Sequence, residues 1–278
     1  MITLREAYQN SKETLSRVYD QSEASAVLKL VFEYQFSKTS KDVLIKGDEH
    51  FEQLEELQAI LNRLTQHEPI QHILGYEFFS GLKIAVSSDV LIPRPETEEL
   101  LNWVVEEEND SISVIADFCT GSGCLALALR KYFPNSKVIA TDISEKALEL
   151  AKKSELVNFN STSIEWALHD LLKQDYILEY PDVIVCNPPY IKIEEKDIMH
   201  ANVLDFEPHL ALFVYDSDAL LFYKIVIELF LEKDMPNIYF ELNPLTAEEL
   251  GSWCLDKGLN CQFRVDLSGK KRFARISK

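Results

Sequence analysis

The chain has 278 residues, of which 46% are hydrophobic and 27% are charged, and its formal net charge is −18. This length allows about two domains of ordinary globular composition, and no apolar run approaches the roughly 18 residues that a membrane span needs. The acidic balance argues against direct nucleic-acid binding, because phosphate contacts normally require a basic surface, and it favours a protein or small-molecule substrate.

The first part of the chain, residues 1–70, predicts a helical domain. Apolar residues recur at helical spacing in three stripes, Leu4–Val18, Ala24–Val31 and Phe51–Leu64, with Ser22 as the expected N-cap of the second helix. We interpret each stripe as a packed face of a small bundle. The N-terminal sequence is mixed and charged, unlike a secretory signal, so we expect a cytoplasmic protein.

A different pattern begins near Pro69. Residues 71–92 contain two short β-prone runs around Ser80-Gly81 and predict a β-hairpin connector. Pro93 and Pro95 then fix the chain before Glu96-Thr97-Glu98-Glu99, which contains three acidic residues. Proline and acidic side chains are typical of the first turn of a helix.

From residue 93 to residue 278, strands alternate with helices. The helices are predicted at 125–133, at 144–156, from about Asp218 to Glu232, and at Ala247–Asp256. The alternation predicts an α/β fold with a doubly wound, Rossmann-like parallel sheet. The last two of the seven predicted strands are joined at Ser268-Gly269, too closely for a crossover helix. They therefore predict an antiparallel hairpin at the sheet edge.

The loop that follows the first strand of this sheet predicts a cofactor site. Gly121 and Gly123 allow a sharp turn and the close approach of a ligand to a helix N-terminus, and Asp142 ends the next strand, where it is placed to accept bonds from ribose hydroxyls. The segment also fits a loose nicotinamide-dinucleotide fingerprint, or a glycine turn with no ligand. Asp117, before the loop, favours S-adenosylmethionine because it could reach the methionine ammonium group.

A second motif predicts the site of chemistry. The buried strand 183–186 delivers Asn187, followed by Pro188, Pro189 and Tyr190. The prolines stiffen the chain and leave its carbonyls free. The Asn187 side-chain oxygen and the Pro188 carbonyl can accept both hydrogens of a planar NH₂, and Tyr190 can stack on it. Orientation and preorganised acceptors then favour methyl transfer to nitrogen, although a rigid strand-to-loop corner is the alternative interpretation.

Cysteine and histidine spacing predicts no metal. None of the five cysteines forms a CxxC pair, and the six histidines lack zinc-ligand spacing. We interpret the cysteines as reduced thiols. His169, His200 and His209 have no partner motif and are interpreted as structural, not as general bases.

Together these motifs resemble the HemK/PrmC family, the peptide chain release factor N5-glutamine methyltransferases. The resemblance covers nearly the whole chain and is carried by NPPY together with four further segments: Glu68–Gly75, Val90–Glu98 with its PRPETE run, Phe206–Leu212, and Asp266–Arg272. NPPY alone also occurs in DNA adenine methyltransferases.

The resemblance implies a seven-stranded class I methyltransferase domain and a helical N-terminal domain that grips the release factor. It also implies that the substrate is the glutamine of a Gly-Gly-Gln loop in a class 1 release factor. By position, S-adenosylmethionine would be bound by loop residues Cys119, Thr120, Gly121, Ser122 and Gly123, by Asp117 and Asp142, by Asp170 and Leu171, and by Asn187. Asn187 to Tyr190 would bind the glutamine. Glycine, not Cys119, usually begins this loop, an aromatic residue often stands at Leu171, and Glu-His-Gly often replaces Glu241-Leu-Asn243.

Three alternative functions remain open. A ribosomal-protein glutamine would present the same amide. An exocyclic amino group of a nucleic-acid base has the same pair of donors, but such a base must be extruded and bound through its phosphates. An adaptor could use the glycine loop and the helical domain without catalysis. We expect a monomer that does not bind membranes.

Overall fold

The computed structural model describes residues 1–109, 111–173, 179–198, 201–214, 218–231 and 236–278. The chain divides into two compact units: Met1–Tyr76 with His200–Phe206, and Glu77–Met199 with Glu207–Lys278. The residues predicted as a connector, 71–92, contribute to both units. His200 and the predicted helix end at 232 lie outside the described residues. Within the described ranges, no helix combines the length and apolar character that a membrane crossing requires.

The first unit begins with helices α1 (Leu4–Leu15), α2 (Gln21–Leu30), α3 (Ser40–Ile45), α4 (Leu54–Leu64) and α5 (Ile70–Leu74), with a π-helical turn at Val31–Gln35. The predicted cap of α2 is wrong: Asp20, not Ser22, is the N-cap. The Asp20 carboxylate accepts from the backbone N–H groups of Ser22 and Glu23, so it satisfies two donors of the first turn. Ser22 already lies inside the helix and therefore cannot be its N-cap.

The three predicted apolar stripes supply the core of this unit. Leu4, Leu15, Leu28 and Leu61 are buried. Phe32 stacks on Phe51 with ring centroids 5.7 Å apart. Helix α3 was not predicted, because none of its residues is buried and it therefore shows no apolar stripe; a reciprocal capping box between Thr39 and Asp42 starts it instead.

The rest of the chain alternates strands and helices. In chain order the elements are β1 (Tyr76–Phe79), β2 (Leu82–Ala85), α6 (Pro95–Glu107), β3 (Val114–Phe118), α7 (Cys124–Tyr132), β4 (Lys137–Asp142), α8 (Glu145–Phe159), β5 (Ile164–Leu168), β6 (Val183–Cys186), β7 (Ile191–Lys192), α9 (Ala201–Phe206), α10 (His209–Leu212), β8 (Phe213–Val214), α11 (Leu221–Phe230), β9 (Asn237–Glu241), α12 (Ala247–Asp256), β10 (Asn260–Val265) and β11 (Lys271–Ser277). Of these, α9 belongs to the first unit.

The main sheet of the second unit has seven strands in the order β10-β11-β9-β6-β3-β4-β5. Strands β9, β6, β3, β4 and β5 pair in parallel, whereas β11 runs antiparallel to both β9 and β10. The predicted doubly wound fold and its antiparallel edge hairpin are therefore confirmed. Two smaller sheets join β1 to β2 and β7 to β8.

The central strands of the sheet are buried on both faces because their successive side chains enter different cores. Ile115 packs in a cluster with Leu100 of α6 and Leu127 of α7. Its neighbour Ala116 packs in a second cluster with Ile227 of α11 and Leu250 of α12. Because both faces of the central strands are covered, a ligand can reach these strands only at their ends.

The carboxyl edge of the central strands is set by strand register. Phe118, the last residue of β3, lies opposite Thr141 of β4 and Cys186 of β6. Because all three strands are parallel, the loops that follow them leave the sheet side by side. The glycine loop, Asp142 and Asn187 are brought together in this way.

The N-cap of α7, Gly123, is the tightest point of this edge. Its φ is 80°, and a Cβ there would lie 2.7 Å from the Cβ of Ala151 and 2.9 Å from the ring of Trp166. We expect Gly123→Ala to lower the free energy of unfolding by about 2–4 kcal/mol, from left-handed strain and from overpacking.

Tryptophan fluorescence in a urea titration measures this effect in the second unit, because all three tryptophans, 103, 166 and 253, lie there. Gly258→Ala is the matched control, since Gly258 also has a left-handed φ of 72° but a Cβ there would meet nothing within 4 Å. Equal losses in the two variants would show that the packing at Gly123 is not tight.

Candidate active site

A cavity of about 270 Å³ lies in the second unit at the carboxyl edge of its sheet. Its lining comes from several segments that are far apart in sequence. They include Ile92–Arg94 and Thr97, the loop Cys119–Ser122, Thr141–Ser144, His169–Leu172, Asn187 with Pro189, and Pro208 with Leu210 and Ala211. The cavity thus joins the predicted cofactor loop to the predicted acceptor motif.

The glycine loop is held in a tight left-handed path. Cys119, Gly121 and Gly123 have φ values of 56°, 53° and 80°. For Cys119, a residue with a Cβ, this conformation costs about 1–2 kcal/mol. The Thr120 N–H donates to the Thr141 carbonyl at 2.9 Å, so the loop is tied to the end of β4. Cys119, Thr120, Gly121 and Ser122 line the cavity, whereas Gly123 lies behind it as the helix cap.

Asp117 lies beneath this loop and is fully buried. One carboxylate oxygen, Oδ2, accepts from the Thr120 hydroxyl at 2.5 Å and from the Ala126 N–H at 3.0 Å. Among the described residues, Oδ1 has no hydrogen-bond partner. Burial raises the pKa of Asp117 to about 7, and the hydrogen bonds from Thr120 and Ala126 oppose that shift. Asp117 itself lies outside the cavity lining.

Asp142 closes the other side of the loop. Its Oδ2 accepts from the Gly121 N–H at 2.8 Å and its Oδ1 from the Ser144 N–H at 2.8 Å. Burial raises its pKa. Each carboxylate oxygen has a second lone pair, so hydroxyl donors can still bind from the cavity, which Asp142 lines.

Two further positions that the resemblance assigns to the cofactor, Asp170 and Leu171, follow β5. Asp170 lines the cavity, and its Oδ1 accepts from the Leu172 N–H at 3.1 Å. Leu171 is 5% exposed and lines the same wall. An aliphatic side chain thus stands in the cavity wall at the position where the family often has an aromatic residue.

The four residues of the acceptor motif separate into two pairs. Asn187 and Pro189 line the cavity, whereas Pro188 and Tyr190 lie outside its lining. The Asn187 Nδ2 donates to the Thr97 hydroxyl oxygen at 3.2 Å. The Tyr190 hydroxyl donates to Oε1 of Glu241 at 3.0 Å. The phenol is therefore engaged in a protein contact behind the cavity wall.

Glu241, at the end of β9, was not recognised from the sequence as part of the site. It is 2% exposed, and its Oε2 accepts from the Thr97 hydroxyl at 2.7 Å. Thr97 was considered only as part of a helix start and of the PRPETE run, not as a site residue. Thr97 and Glu241 are 144 positions apart in the chain, and no local sequence pattern marks a glutamate at a strand end as buried.

The segment that begins at Glu207 forms one wall of the cavity. The Glu207 carboxylate accepts from the Ile92 N–H at 3.2 Å and from Nη2 of Arg94 at 2.5 Å. The Glu207 side chain is 1% exposed and the Arg94 side chain is 34% exposed, so the carboxylate is removed from water while the guanidinium stays partly solvated. This ion pair anchors Pro208 and the residues after it beside the PRPETE segment.

The remaining candidate groups lie around the site. His169 lines the cavity, and His209 packs edge-on against Phe213 with centroids 5.4 Å apart. Glu195, which follows the acceptor motif, accepts from the Asn243 side-chain amide at 2.9 Å. Nowhere in the described ranges do three or more His, Cys, Asp or Glu side chains form a group that could hold a metal ion.

Two sequence families match the chain. Residues 6–75 match the PrmC N-terminal domain, and residues 94–211 match the methyltransferase small domain. The release factor glutamine methyltransferase of Flavobacterium psychrophilum is 36% identical over 275 residues, which cover 95% of each chain. The enzyme of the same name from Bacteroides thetaiotaomicron is 45% identical over 201 residues, 70% of each chain.

Solved structures share the fold at low identity. The catalytic domain of hMettl16, solved with the MAT2A 3′UTR hairpin 6, aligns with a TM-score of 0.55 at 16% identity, over 70% of this chain and 75% of that one. The human methyltransferase 10 domain containing protein aligns with a TM-score of 0.51 at 19% identity, over 70% of this chain and 89% of that one. The fold is that of a class I methyltransferase. On the evidence of its sequence relatives, the chain belongs to the release factor glutamine methyltransferase family.

Proposed function

We propose that this protein transfers a methyl group from S-adenosylmethionine to the side-chain amide nitrogen (N5) of the glutamine in the Gly-Gly-Gln motif of class 1 peptide chain release factors. The observation that carries the proposal is one shared cavity, lined both by the glycine loop with Asp142 and by Asn187 with Pro189. A donor bound on the loop and an amide bound at the motif would therefore meet.

The residues present fit S-adenosylmethionine. The Oδ1 of Asp117, which lacks a hydrogen-bond partner among the described residues, suits the methionine ammonium group, and the free lone pairs of Asp142 suit two ribose hydroxyls. Asp170 and Leu171 would hold the adenine, and Cys119 to Gly123 would supply backbone contacts and shape. When bound, the cofactor supplies an electrophilic methyl group and leaves as the neutral thioether S-adenosylhomocysteine.

The acceptor side needs orientation more than a base. The Asn187 side-chain oxygen and the Pro188 carbonyl would accept the two amide hydrogens and turn the nitrogen toward the methyl group, with Tyr190 beside the flat amide. The substrate nitrogen would form its bond to the methyl carbon as the carbon–sulfur bond breaks, and one amide proton would then leave to water. Fixed acceptors stabilise the positive charge that develops on nitrogen.

The proposal assigns roles to the remaining parts of the chain. Residues 1–70 would form the domain that binds the release factor, 71–92 the connector, and 93–278 the catalytic domain, in a cytoplasmic monomer that acts on a translation factor. The family match at residues 6–75 supports this division.

Transfer of labelled methyl from S-adenosylmethionine to a purified release factor tests the proposal. We expect label on the Gly-Gly-Gln glutamine. Asn187→Ala should lower the rate by about 100-fold or more, because one preorganised acceptor is lost, while affinity for S-adenosylhomocysteine, measured by calorimetry, stays within a few-fold.

A release factor whose motif glutamine is replaced by alanine is the negative control. Label on a ribosomal protein but not on the release factor would reassign the substrate, and an unchanged rate in Asn187→Ala would remove the proposed role of the motif.

Asp117 should lower the stability of the ligand-free protein at neutral and higher pH. Its pKa is raised to about 7 in the folded state. The folded protein therefore holds this proton more tightly than the unfolded chain, and stability is lost as the pH rises from about 4 to 7. Above pH 7 we expect Asp117→Asn to be more stable than the natural protein, by on the order of 2–4 kcal/mol.

Urea unfolding followed by tryptophan fluorescence at pH 5 and pH 8 measures this difference. The advantage of the asparagine variant should shrink at the lower pH. An advantage that does not change with pH would show that the Asp117 charge is not its cause.

Cofactor affinity should depend on pH in the opposite sense. Below about pH 7 the protonated Asp117 can no longer pair with an ammonium group, so S-adenosylhomocysteine should bind more weakly as the pH falls. Asp117→Asn should bind it about 10- to 100-fold more weakly and without this pH dependence. Methylthioadenosine, which lacks the amino-acid portion, is the matched ligand. If its binding depended on pH in the same way, the effect would not arise from the ammonium group.

A further inference from the structure

The buried Glu241 carboxylate holds both ends of the acceptor motif. Its Oε1 accepts from the Tyr190 hydroxyl at 3.0 Å, and its Oε2 accepts from the Thr97 hydroxyl at 2.7 Å. Thr97 in turn accepts from the Asn187 Nδ2 at 3.2 Å. Glu241 and Thr97 are 2% and 3% exposed, so solvent does not compete for these contacts.

The direction of each hydrogen bond in this chain follows from the carboxylate. An ionised carboxylate only accepts, so the single hydroxyl hydrogen of Thr97 must be donated to Glu241. The Thr97 oxygen is then left with lone pairs alone, and it can bind only a donor. Of the two ends of the Asn187 amide, the NH₂ is therefore the one that faces Thr97, and the carbonyl oxygen is the end left for a ligand.

The surroundings of Glu241 act on its pKa in opposite directions, and burial has the largest effect. Burial raises the pKa of Glu241, and Glu96 acts in the same direction. The hydroxyl donors of Thr97 and Tyr190 and the positive charge of Arg272 lower that pKa. Arg272 is held nearby through Asp266 and the Leu242 carbonyl. The contacts that set the hydrogen-bond direction thus also stabilise the charge on which it depends.

We propose that Glu241 and Thr97 are positioning residues that fix the Asn187 side chain with its oxygen toward the substrate, so that the site accepts an NH₂ donor and rejects an oxygen in the same place. The inference rests on the proposed function and deepens it. It makes Thr97, which lines the cavity, and Glu241, which lies outside the cavity lining, determinants of the choice of glutamine over glutamate.

The physical basis of this choice is the cost of an acceptor facing an acceptor. A glutamine side chain offers a hydrogen to the Asn187 oxygen, whereas a glutamate side chain places a negative oxygen against it. A site built to bind a hydrogen-bond donor rejects an analogue that lacks the donor strongly, because its buried polar group is left unpaired. If the Asn187 amide were free to rotate by 180°, its NH₂ would face the substrate and the discrimination would be lost.

The Asn187 side-chain amide can be observed directly by NMR, with its resonance assigned by its absence in Asn187→Ala. We expect slow hydrogen exchange in the natural protein, since Nδ2 is bonded to Thr97, and at least about tenfold faster exchange in Thr97→Val, which keeps the shape but removes the hydroxyl. Thr97→Ser should restore slow exchange.

Ser136→Ala is the matched control, because it also removes one buried hydroxyl bond, to the Ile112 carbonyl at 2.7 Å, at the other end of β4. Equal exchange in the natural protein and in Thr97→Val would overturn the proposal. Binding of S-adenosylhomocysteine checks that each variant is folded. If Thr97→Val fails to fold, Glu241→Gln takes its place, because a neutral amide can present either its oxygen or its NH₂ to Thr97.

Substrate discrimination gives the second readout. The KM for a release factor with its natural glutamine is compared with the inhibition constant of the same factor carrying glutamate there. We expect the preference for glutamine to fall by about tenfold or more in Thr97→Val and in Glu241→Gln, and to return in Thr97→Ser. An unchanged preference in both variants would also overturn the proposal.

The two proposals fail in different ways. If the natural protein does not methylate the release factor, the proposed function is wrong, and the exchange measurement still decides whether Thr97 fixes the Asn187 amide. If the natural protein is active but the exchange rates are equal, the proposed function stands and the positioning role is wrong.

Discussion

The parallel pairing of β4, β3 and β6 is the constraint on which the site depends. Phe118 lies opposite Thr141 on one side and Cys186 on the other, so three loops leave the sheet at one level. Each position would meet one requirement of the proposed chemistry: Gly121 a close backbone approach, Asp142 a pair of acceptors, and Asn187 an oriented amide. Since the sheet is covered on both faces, these loops rest on a rigid base, which is what catalytic geometry needs.

Two carboxylates, Glu241 and Asp117, are buried at this end of the sheet, and their oxygens have different sets of hydrogen-bond donors. Glu241 accepts a hydroxyl hydrogen on each oxygen, as expected for a charge that organises the protein itself. Asp117 takes both of its bonds on one oxygen, and the other has no partner among the described residues. A buried carboxylate with one oxygen unpaired lowers stability, and in the proposed function the methionine ammonium group would pair with that oxygen.

Much of the fold could be predicted because its long elements are strongly periodic. The seven strands and helix α12, Ala247–Asp256, were located from apolar runs and from their separation alone. Short elements without an apolar stripe, such as α3, were missed, and the cap of α2 was misplaced by two residues. Of the site, the glycine loop and the NPPY motif could be recognised because their chemistry is contained in a few consecutive residues.

The class of sheet, the loop at Gly121 and the acceptor motif at Asn187 could be predicted from the residues alone, since periodicity, glycine and proline act locally on the backbone. Which polar groups are joined by hydrogen bonds became clear only from the folded chain. Thr97 begins a helix, Glu241 ends a strand 144 residues later, and Asn187 lies between them in the chain. Hydrogen bonds act over about 3 Å, and nothing in the local sequence of any of the three residues records that the fold brings them within that distance.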